Sequence, residues 1–284
     1  MGKTIIITDS GCDIPEHMIS IFSDNIKVIP YTVHFTKDEY LKDNRINKRS
    51  FSQSMNLGMR PVCIKLDKND VLNVLNELDE KYDEIIFITS SGMLYPESEI
   101  AIKSAVLKYF SDHIKARVAI IDSNTTSMAL GFLVLDAAKM IDMQYDFDEI
   151  VRYVKTNKSR YRMDVIANDP TIPKDHRIIN SRQAKLTTSH KKYYLLSMTR
   201  FGLLRPIMAK SDERQIKDVM MERLFDDYTD KYAIVSTLLN DEELYFSENI
   251  TKVMELDPVK SKFGCSNTSF VGTDSISLCY KKKQ

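Results

Sequence analysis

Net charge is the first thing this sequence lacks: forty basic and forty acidic side chains cancel over 284 residues. The chain has no long-range field to draw in nucleic acid or an anionic lipid surface, and neither is expected as a partner. Cysteine is scarce, with residues at 12, 63, 265 and 279 and no CxxC pair, which argues against a zinc knuckle or a disulfide framework. Thiols dispersed in this way are expected to be reduced. The five histidines show no ligand spacing, so no metal is expected. The longest apolar stretch, "MALGFLVLDAA", is interrupted by Asp136 and is too short to span a bilayer. The first strand starts a few residues after Met1, which leaves no room for a charged leader and an apolar signal segment. The expected location is the cytoplasm.

Glycine-based signatures are missing as well. A dinucleotide fingerprint needs GxGxxG after the first strand, and the first turn holds only Gly11. The phosphate loop of nucleotide triphosphatases and the GxSxG elbow of esterases have no match. An aspartyl-phosphate enzyme of the DxD type would place an acid two residues after Asp9, where Gly11 stands. Common nucleotide and acyl-transfer enzymes are thereby disfavoured, and no cofactor is expected. Internal repeats and low-complexity tracts are also lacking.

What is present is an alternation of strands and helices. Hydrophobic residues make up 43% and charged residues 28%, the balance of a folded soluble chain, and the length favours two domains over one. Three strand ends share one design: "IIITDSGCD" at 5–13, "EIIFITSSG" at 84–92 and "VAIIDSNTT" at 118–126. Asp13 with Glu16 reads as a helix cap, and 27–35 as a second strand. Helices are expected at 69–80, 98–112, 125–142 and 147–158, and further strands at 84–89 and 117–122. This pattern predicts a parallel sheet covered by helices, a three-layer α/β/α domain over 1–160.

The remainder, 161–284, reads as a second α/β domain with a mixed sheet. It opens with a strand at 162–168 and an irregular stretch at 169–190. A helix at 191–203, a strand at 205–209 and a helix at 212–228 come next. A strand at 232–238, a helix at 241–256 and closing strands at 269–273 and 275–280 complete it.

Ligands of open α/β sheets bind outside the carboxyl ends of the strands, so the three polar turns are the candidate site. Ser90 and Ser91 stand just before a helix, where backbone amides favour a carboxylate or phosphate. Ser10, Ser91, Ser123 and Thr125 also read as turn and capping residues, and Asp9 and Asp122 as turn acids. Ser91 and Cys63 could serve as nucleophiles, but neither has a histidine in a recognisable motif, which argues against that use.

"TDSGCDIP", the proline-led "RPVCIK", the "TSSG" turn and "VAIIDSNTTSMALGFLVLDAA", in that order, resemble the DegV family of bacterial fatty-acid-binding proteins. The resemblance implies a carrier and not an enzyme: two α/β domains with a long-chain fatty acid in a tunnel between them, its carboxylate presented to a fatty acid kinase. Such a tunnel would be dry and apolar, and the fourteen methionines and twelve phenylalanines supply side chains that adapt to a flexible tail.

The resemblance carries Ser91 over as a head-group donor, with Ser90, Ser10 and Ser127 in the same turns. Cys63 stands where the family has a threonine, and a thiol is the weaker donor. Lys65 replaces a glutamine, Arg177 is the counterpart of the family arginine, and Asp274 falls near the expected histidine, where an ionised carboxylate would repel a fatty acid. Two functions follow as expectations. One is a lipid carrier whose remodelled head-group site uses Ser91 and Cys63, with Arg177 or Lys65 for positive charge. The other is a divergent paralogue that has lost acyl delivery and acts as an interaction protein or binds a different small ligand.

Overall fold

A computed structural model of the chain describes residues 2–36, 38–79, 81–112, 116–167, 172, 193–237 and 241–283. Its first sheet is built from β1 (Thr4–Asp9), β2 (Ile26–Ile29), β6 (Glu84–Thr89) and β7 (Arg117–Asp122), all parallel, in the order β2-β1-β6-β7. The β-branched run of β1 is buried on both faces, so its side chains divide between two cores. Ile5 and Ile7, with Ile85 and Phe87, face a cluster that includes Val71 and Leu75 of α3 (Lys68–Leu78) and Ile102 and Ala105 of α4 (Pro96–Asp112). Ile6, Ile86 and Ile88 face α5 (Ser127–Asp142).

α5 is apolar on nearly every side because it lies between two sheets. Its far face meets Met163, Val165, Leu196, Val235 and Cys279 of the second sheet, within one continuous core. Gly131 permits the close approach of α5 to the turn after β1: a Cβ there would come within 2.8 Å of the Cys12 carbonyl oxygen. Within α5, Asp136 takes the ammonium groups of Lys231 and Lys281 and the phenol of Tyr161. Burial pushes its carboxyl up, but the two lysines and Tyr161 outweigh burial and hold it below the ordinary range.

The second sheet is mixed, in the order β10-β9-β8-β13-β11-β12. Its strands are β8 (Tyr161–Ala167), β9 (Tyr193–Met198), β10 (Leu204–Lys210), β11 (Tyr228–Ser236), β12 (Val259–Lys262) and β13 (Ile276–Lys282). All neighbours run antiparallel except β11 and β12. The outer face is covered by α7 (Glu213–Asp227) and α8 (Asp241–Met254), through Ile216, Met220, Leu224, Phe246 and Ile250. Within this layer the fully buried Asp164 of β8 is held by the Arg223 guanidinium at 2.7 Å. A small antiparallel sheet of β3 (Thr32–His34), β4 (Tyr40–Lys42) and β5 (Cys63–Lys65), in the order β4-β3-β5, lies beside α2 (Lys48–Asn56). The chain also forms α1 (Glu16–Ile21), α6 (Phe147–Asn157) and α9 (Cys265–Val271).

Three expectations need correction. Residues 193–198, expected as helix, form β9; Leu195 faces the outer core and Leu196 the inner one, so burial on both faces removed the alternation that marks a strand. Residues 269–273, expected as strand, include the end of α9, whose start is held by carboxylates far away in sequence. The expected strand 27–35 is divided at Pro30 into β2 and β3, which belong to different sheets. The stretch 169–190 lies outside the described residues, apart from Ile172.

Candidate functional site

The carboxyl ends of β1, β6 and β7 lie side by side, with Thr89 paired to Asp122, so the three polar turns do share one edge. Two of them are locked together by Asp9. Its carboxylate accepts from the Gly11 amide (3.0 Å), the Ser90 amide (2.7 Å) and the Ser90 hydroxyl (2.6 Å). Burial raises the Asp9 carboxyl to about 6, with the Ser90 hydrogen bonds opposing the rise.

Asp13, at φ 49°, does not cap α1, whose N-cap position is Pro15, with no side-chain cap. It turns instead to the chain's far end and accepts from the Gly264 amide, the Asn267 side-chain amide and the Ser127 hydroxyl, each at 2.7 Å. Burial lifts the Asp13 carboxyl to about 6 even though Lys48, Ser127 and the α9 donors pull the other way. Asp43 repeats the arrangement, accepting from the Cys265 amide at 3.0 Å and from the Ser266 and Ser10 hydroxyls at 3.1 Å.

Asn267 ties Asp13 to the turns after β1 and β7 and to Tyr95 just before α4. Its Oδ1 accepts from Thr126 (2.8 Å) and Tyr95 (3.1 Å), and its Nδ2 donates to the Gly11 carbonyl (2.9 Å) and to Asp13. Such a network satisfies the side-chain amide completely, as a buried amide requires. Ser10, Ser90 and Ser127 are therefore brought together, but each hydroxyl donates to a carboxylate of the chain itself. Their combined effect is to fasten α9 across the strand ends.

Ser91 differs from its neighbours. It is fully buried, donates to the Gly202 carbonyl oxygen at 2.8 Å and accepts from the Met93 amide at 3.2 Å. Gly202 belongs to the tight hairpin between β9 and β10, at φ +80°, and a Cβ there would stand 2.2 Å from the Ser91 hydroxyl. A second bond, from the Asn124 side-chain amide to the Arg200 carbonyl at 2.9 Å, seats the hairpin on the edge of β7. The hydroxyl of Ser91 thus meets a lone backbone acceptor and not a carboxylate.

The other candidates are dispersed. Lys65 pairs at 3.5 Å with Glu97 on the surface, a contact of little energetic weight. Asp274 is exposed at φ +57° in the turn before β13. Cys63 lies on β5; its side chain, and all of Arg177, lie outside the described residues. A cavity of about 200 Å³ lies next to Ser91's turn, lined by Pro61, Val62, Ile64, Leu94, Pro96 and Phe270 among others. Among the described residues no group of three or more His, Cys, Asp or Glu is placed to hold a metal ion, and no helix is long and apolar enough to cross a membrane. Sequence reasoning missed Asp43, Asn267 and Gly202, which bond respectively to Cys265, Gly11 and Ser91, each more than 100 residues away, and leave no local signal.

With this geometry in hand, comparison with known proteins gives a consistent answer. A family model described as "Uncharacterised protein, DegV family" matches residues 3–283. The chain belongs to the DegV family. A DegV domain-containing protein of Clostridium acetobutylicum is 25% identical over 286 residues, covering 97% of this chain and 96% of that protein. Another, from Caldanaerobacter subterraneus, is 30% identical over 162 residues, a match that covers 57% of this chain and only 55% of that relative's length.

Among solved structures, a DegV family protein from Eubacterium eligens loaded with heptadecanoic acid superposes with a TM-score of 0.84 at 18% identity, over 99% of this chain and 100% of the other. The fatty acid kinase B3 protein of Streptococcus pneumoniae, loaded with linoleic acid, superposes at 0.82 with 16% identity, over 99% and 100%. At these identities the structures establish a shared DegV fold along the whole chain.

Proposed function

We propose that this protein is an acyl carrier of the cytoplasm, not an enzyme: it binds a long-chain fatty acid in a tunnel between its two α/β domains and presents the carboxylate to a partner such as a fatty acid kinase. The observation that carries the reading is the buried Ser91 hydroxyl, whose proton goes to a neutral hairpin carbonyl and not to a carboxylate, in a chain whose whole length has the fold of acyl-loaded DegV proteins. A carboxylate oxygen arriving at Ser91 exchanges one acceptor for another, so the hydroxyl is never left unpaired. Met128 on α5 and Met163 and Met198 on the facing strands are buried, unbranched side chains that re-pack readily around a tail.

Magnitudes favour the tail over the head group. A C16 chain with about 14 methylenes gains roughly 11 kcal/mol of gross burial energy at ~0.8 kcal/mol each, against an association cost of about 4–15 kcal/mol. One hydroxyl contributes roughly 1.5–3 kcal/mol to a charged acceptor. Weak head-group donors therefore limit presentation more than binding.

The test is denaturing extraction of natively purified protein followed by mass spectrometry. The reading expects a C14 to C18 acid near one per chain. Protein that carries no lipid, and takes up none from added palmitate or oleate, defeats it.

One observation favours a second reading, a paralogue that has given up acyl delivery: the Ser91 hydroxyl is already closed by the Gly202 carbonyl. Loaded protein incubated with fatty acid kinase and ATP separates the two, because acyl phosphate formation rules out the second.

A further inference from the structure

The backbone amides around Ser91 are spent on the chain itself. Ser91 donates its own amide to the Thr125 carbonyl at 2.8 Å, Gly92 to the Asp122 carboxylate at 3.0 Å and Met93 to the Ser91 hydroxyl at 3.2 Å. Leu94 and Tyr95 both donate to the Ser91 carbonyl at 3.0 Å. The turn therefore has no free amide for an anion. What remains is a pair: the Ser91 hydroxyl as donor and, 2.8 Å away, the Gly202 carbonyl as acceptor. The charged side chains of the surrounding elements are committed too. Asp9 accepts from Ser90, Asp122 from the Gly92 and Asn124 amides, Glu99 pairs with Lys103 at 2.5 Å and Glu97 with Lys65 at 3.5 Å. Lys158 gives its ammonium to the Asp122 backbone carbonyl at 2.7 Å, and the Arg200 guanidinium lies over the Phe201 ring. Among the described residues no cationic side chain bonds to Ser91 or Gly202.

We propose that the lipid head group is held between Ser91 and Gly202 in an uncharged form, as the protonated carboxylic acid, an inference that rests on the carrier reading above. The acid's carbonyl accepts from the Ser91 hydroxyl and its own O–H donates to the Gly202 carbonyl, so both groups of the chain keep a partner. A carboxylate also keeps the hydroxyl paired, but it brings only acceptors: it leaves the Gly202 carbonyl without a donor and buries a charge with no cation. Binding takes up one proton from solvent for each acid bound. The preferred ligand class is a long-chain lipid whose neutral head has both a donor and an acceptor, and a primary amide is its pH-independent mimic. At pH 7 only about one acid in 500 is neutral, for a carboxyl pKa of about 4.3, and the apparent affinity falls with that fraction.

The test offers palmitate and palmitamide in equal amounts to the lipid-stripped full chain from pH 6.5 to 8.5, and reads the bound fraction of each by extraction and mass spectrometry. The ratio of bound amide to bound acid is expected to rise about tenfold per pH unit, roughly 100-fold over the range. Titration of the protein's own carboxylates is common to both ligands and cancels in the ratio. Ser91→Ala is expected to weaken both ligands by about fivefold to tenfold and to leave the slope in place, because the Gly202 carbonyl remains. A ratio independent of pH, or palmitate bound in preference throughout, shows that a carboxylate is held and overturns the proposal while the carrier reading stands. Unchanged binding by Ser91→Ala puts the head group elsewhere and overturns it too. Uptake of neither ligand defeats the carrier reading, and this inference with it.

Discussion

Replacing Asp13 with asparagine isolates one buried carboxylate whose environment pulls in two directions. Three donors and the nearby Lys48 favour its ionised form, while complete burial disfavours it, and burial prevails, raising the carboxyl from 3.8 to about 6. The sign of the stability effect follows from proton linkage. Between pH 3.8 and 6 the folded chain binds the proton that the unfolded chain has released, so stability falls as pH rises through this window. The contribution of Asp13 is fully present below 3.8 and lost above about 6.

The rise corresponds to roughly 3 kcal/mol, at 1.36 kcal/mol per tenfold change in proton affinity. Asparagine removes this dependence at every pH. It also sets an N–H against the donors at one carboxylate oxygen, a pH-independent loss of roughly 1–3 kcal/mol. Urea unfolding of both proteins at several pH values from 4 to 7 isolates the linkage. The advantage of the native protein over Asp13→Asn is expected to shrink by about 2–2.5 kcal/mol between pH 4 and 7, the rest of the change lying below pH 4. A difference that grows with pH shows that the α9 donors outweigh burial and refutes the reasoning.

Other substitutions follow from the same contacts. Gly202→Ala places a methyl 2.2 Å from the Ser91 hydroxyl at a backbone φ of +80°, so a loss of about 1–3 kcal/mol is expected in denaturant titrations, together with faster amide exchange in the hairpin at 199–203. Arg223→Met leaves the fully buried Asp164 without its guanidinium partner; a loss of about 3–5 kcal/mol is expected, and adding Asp164→Leu should recover much of it by urea titration. Asn267→Ala strips four hydrogen bonds from the junction of α9 with the strand ends. It is expected to cost about 2–4 kcal/mol and to raise protease sensitivity near Gly264.

The parallel sheet was legible because its signals are local: β-branched runs, polar turns and the striped helix at 68–78 need no distant partner to declare themselves. The same holds for the shared edge of the three turns. β9 was not legible, because burial on both faces erased its period and left a pattern that a helix also satisfies. α9 failed for a different reason: "CSNTSFV" has weak propensity for either state, and its helical start depends on Asp13 and Asp43, more than 200 residues away. The serines were correctly assigned to turns, but their partners were not foreseeable. A hydroxyl aimed at a ligand and one aimed at a buried aspartate have the same sequence signature.

The acids in these turns explain why so polar an edge exists between two apolar layers. α9 and the turn after β1 meet where α5 presses against both sheets, and apolar contacts alone would leave the register of that junction loosely defined. Carboxylates at 9, 13 and 43 remove the freedom, since displacing the hydroxyls and amides that surround them strands buried charge. The three acids lie at the junction with Lys48 as the cation acting on Asp13, so their fixation relies on hydrogen bonds, and each must keep its full set. Exchange is therefore unfavourable at Ser10, Ser90 and Ser127, where a ligand carboxylate would have to approach one of these carboxylates. Ser91 faces a neutral carbonyl on a hairpin that contacts the strand ends through few bonds. Of Ser10, Ser90, Ser91 and Ser127, it is the one where an incoming anion meets no negative charge and displaces only a backbone loop.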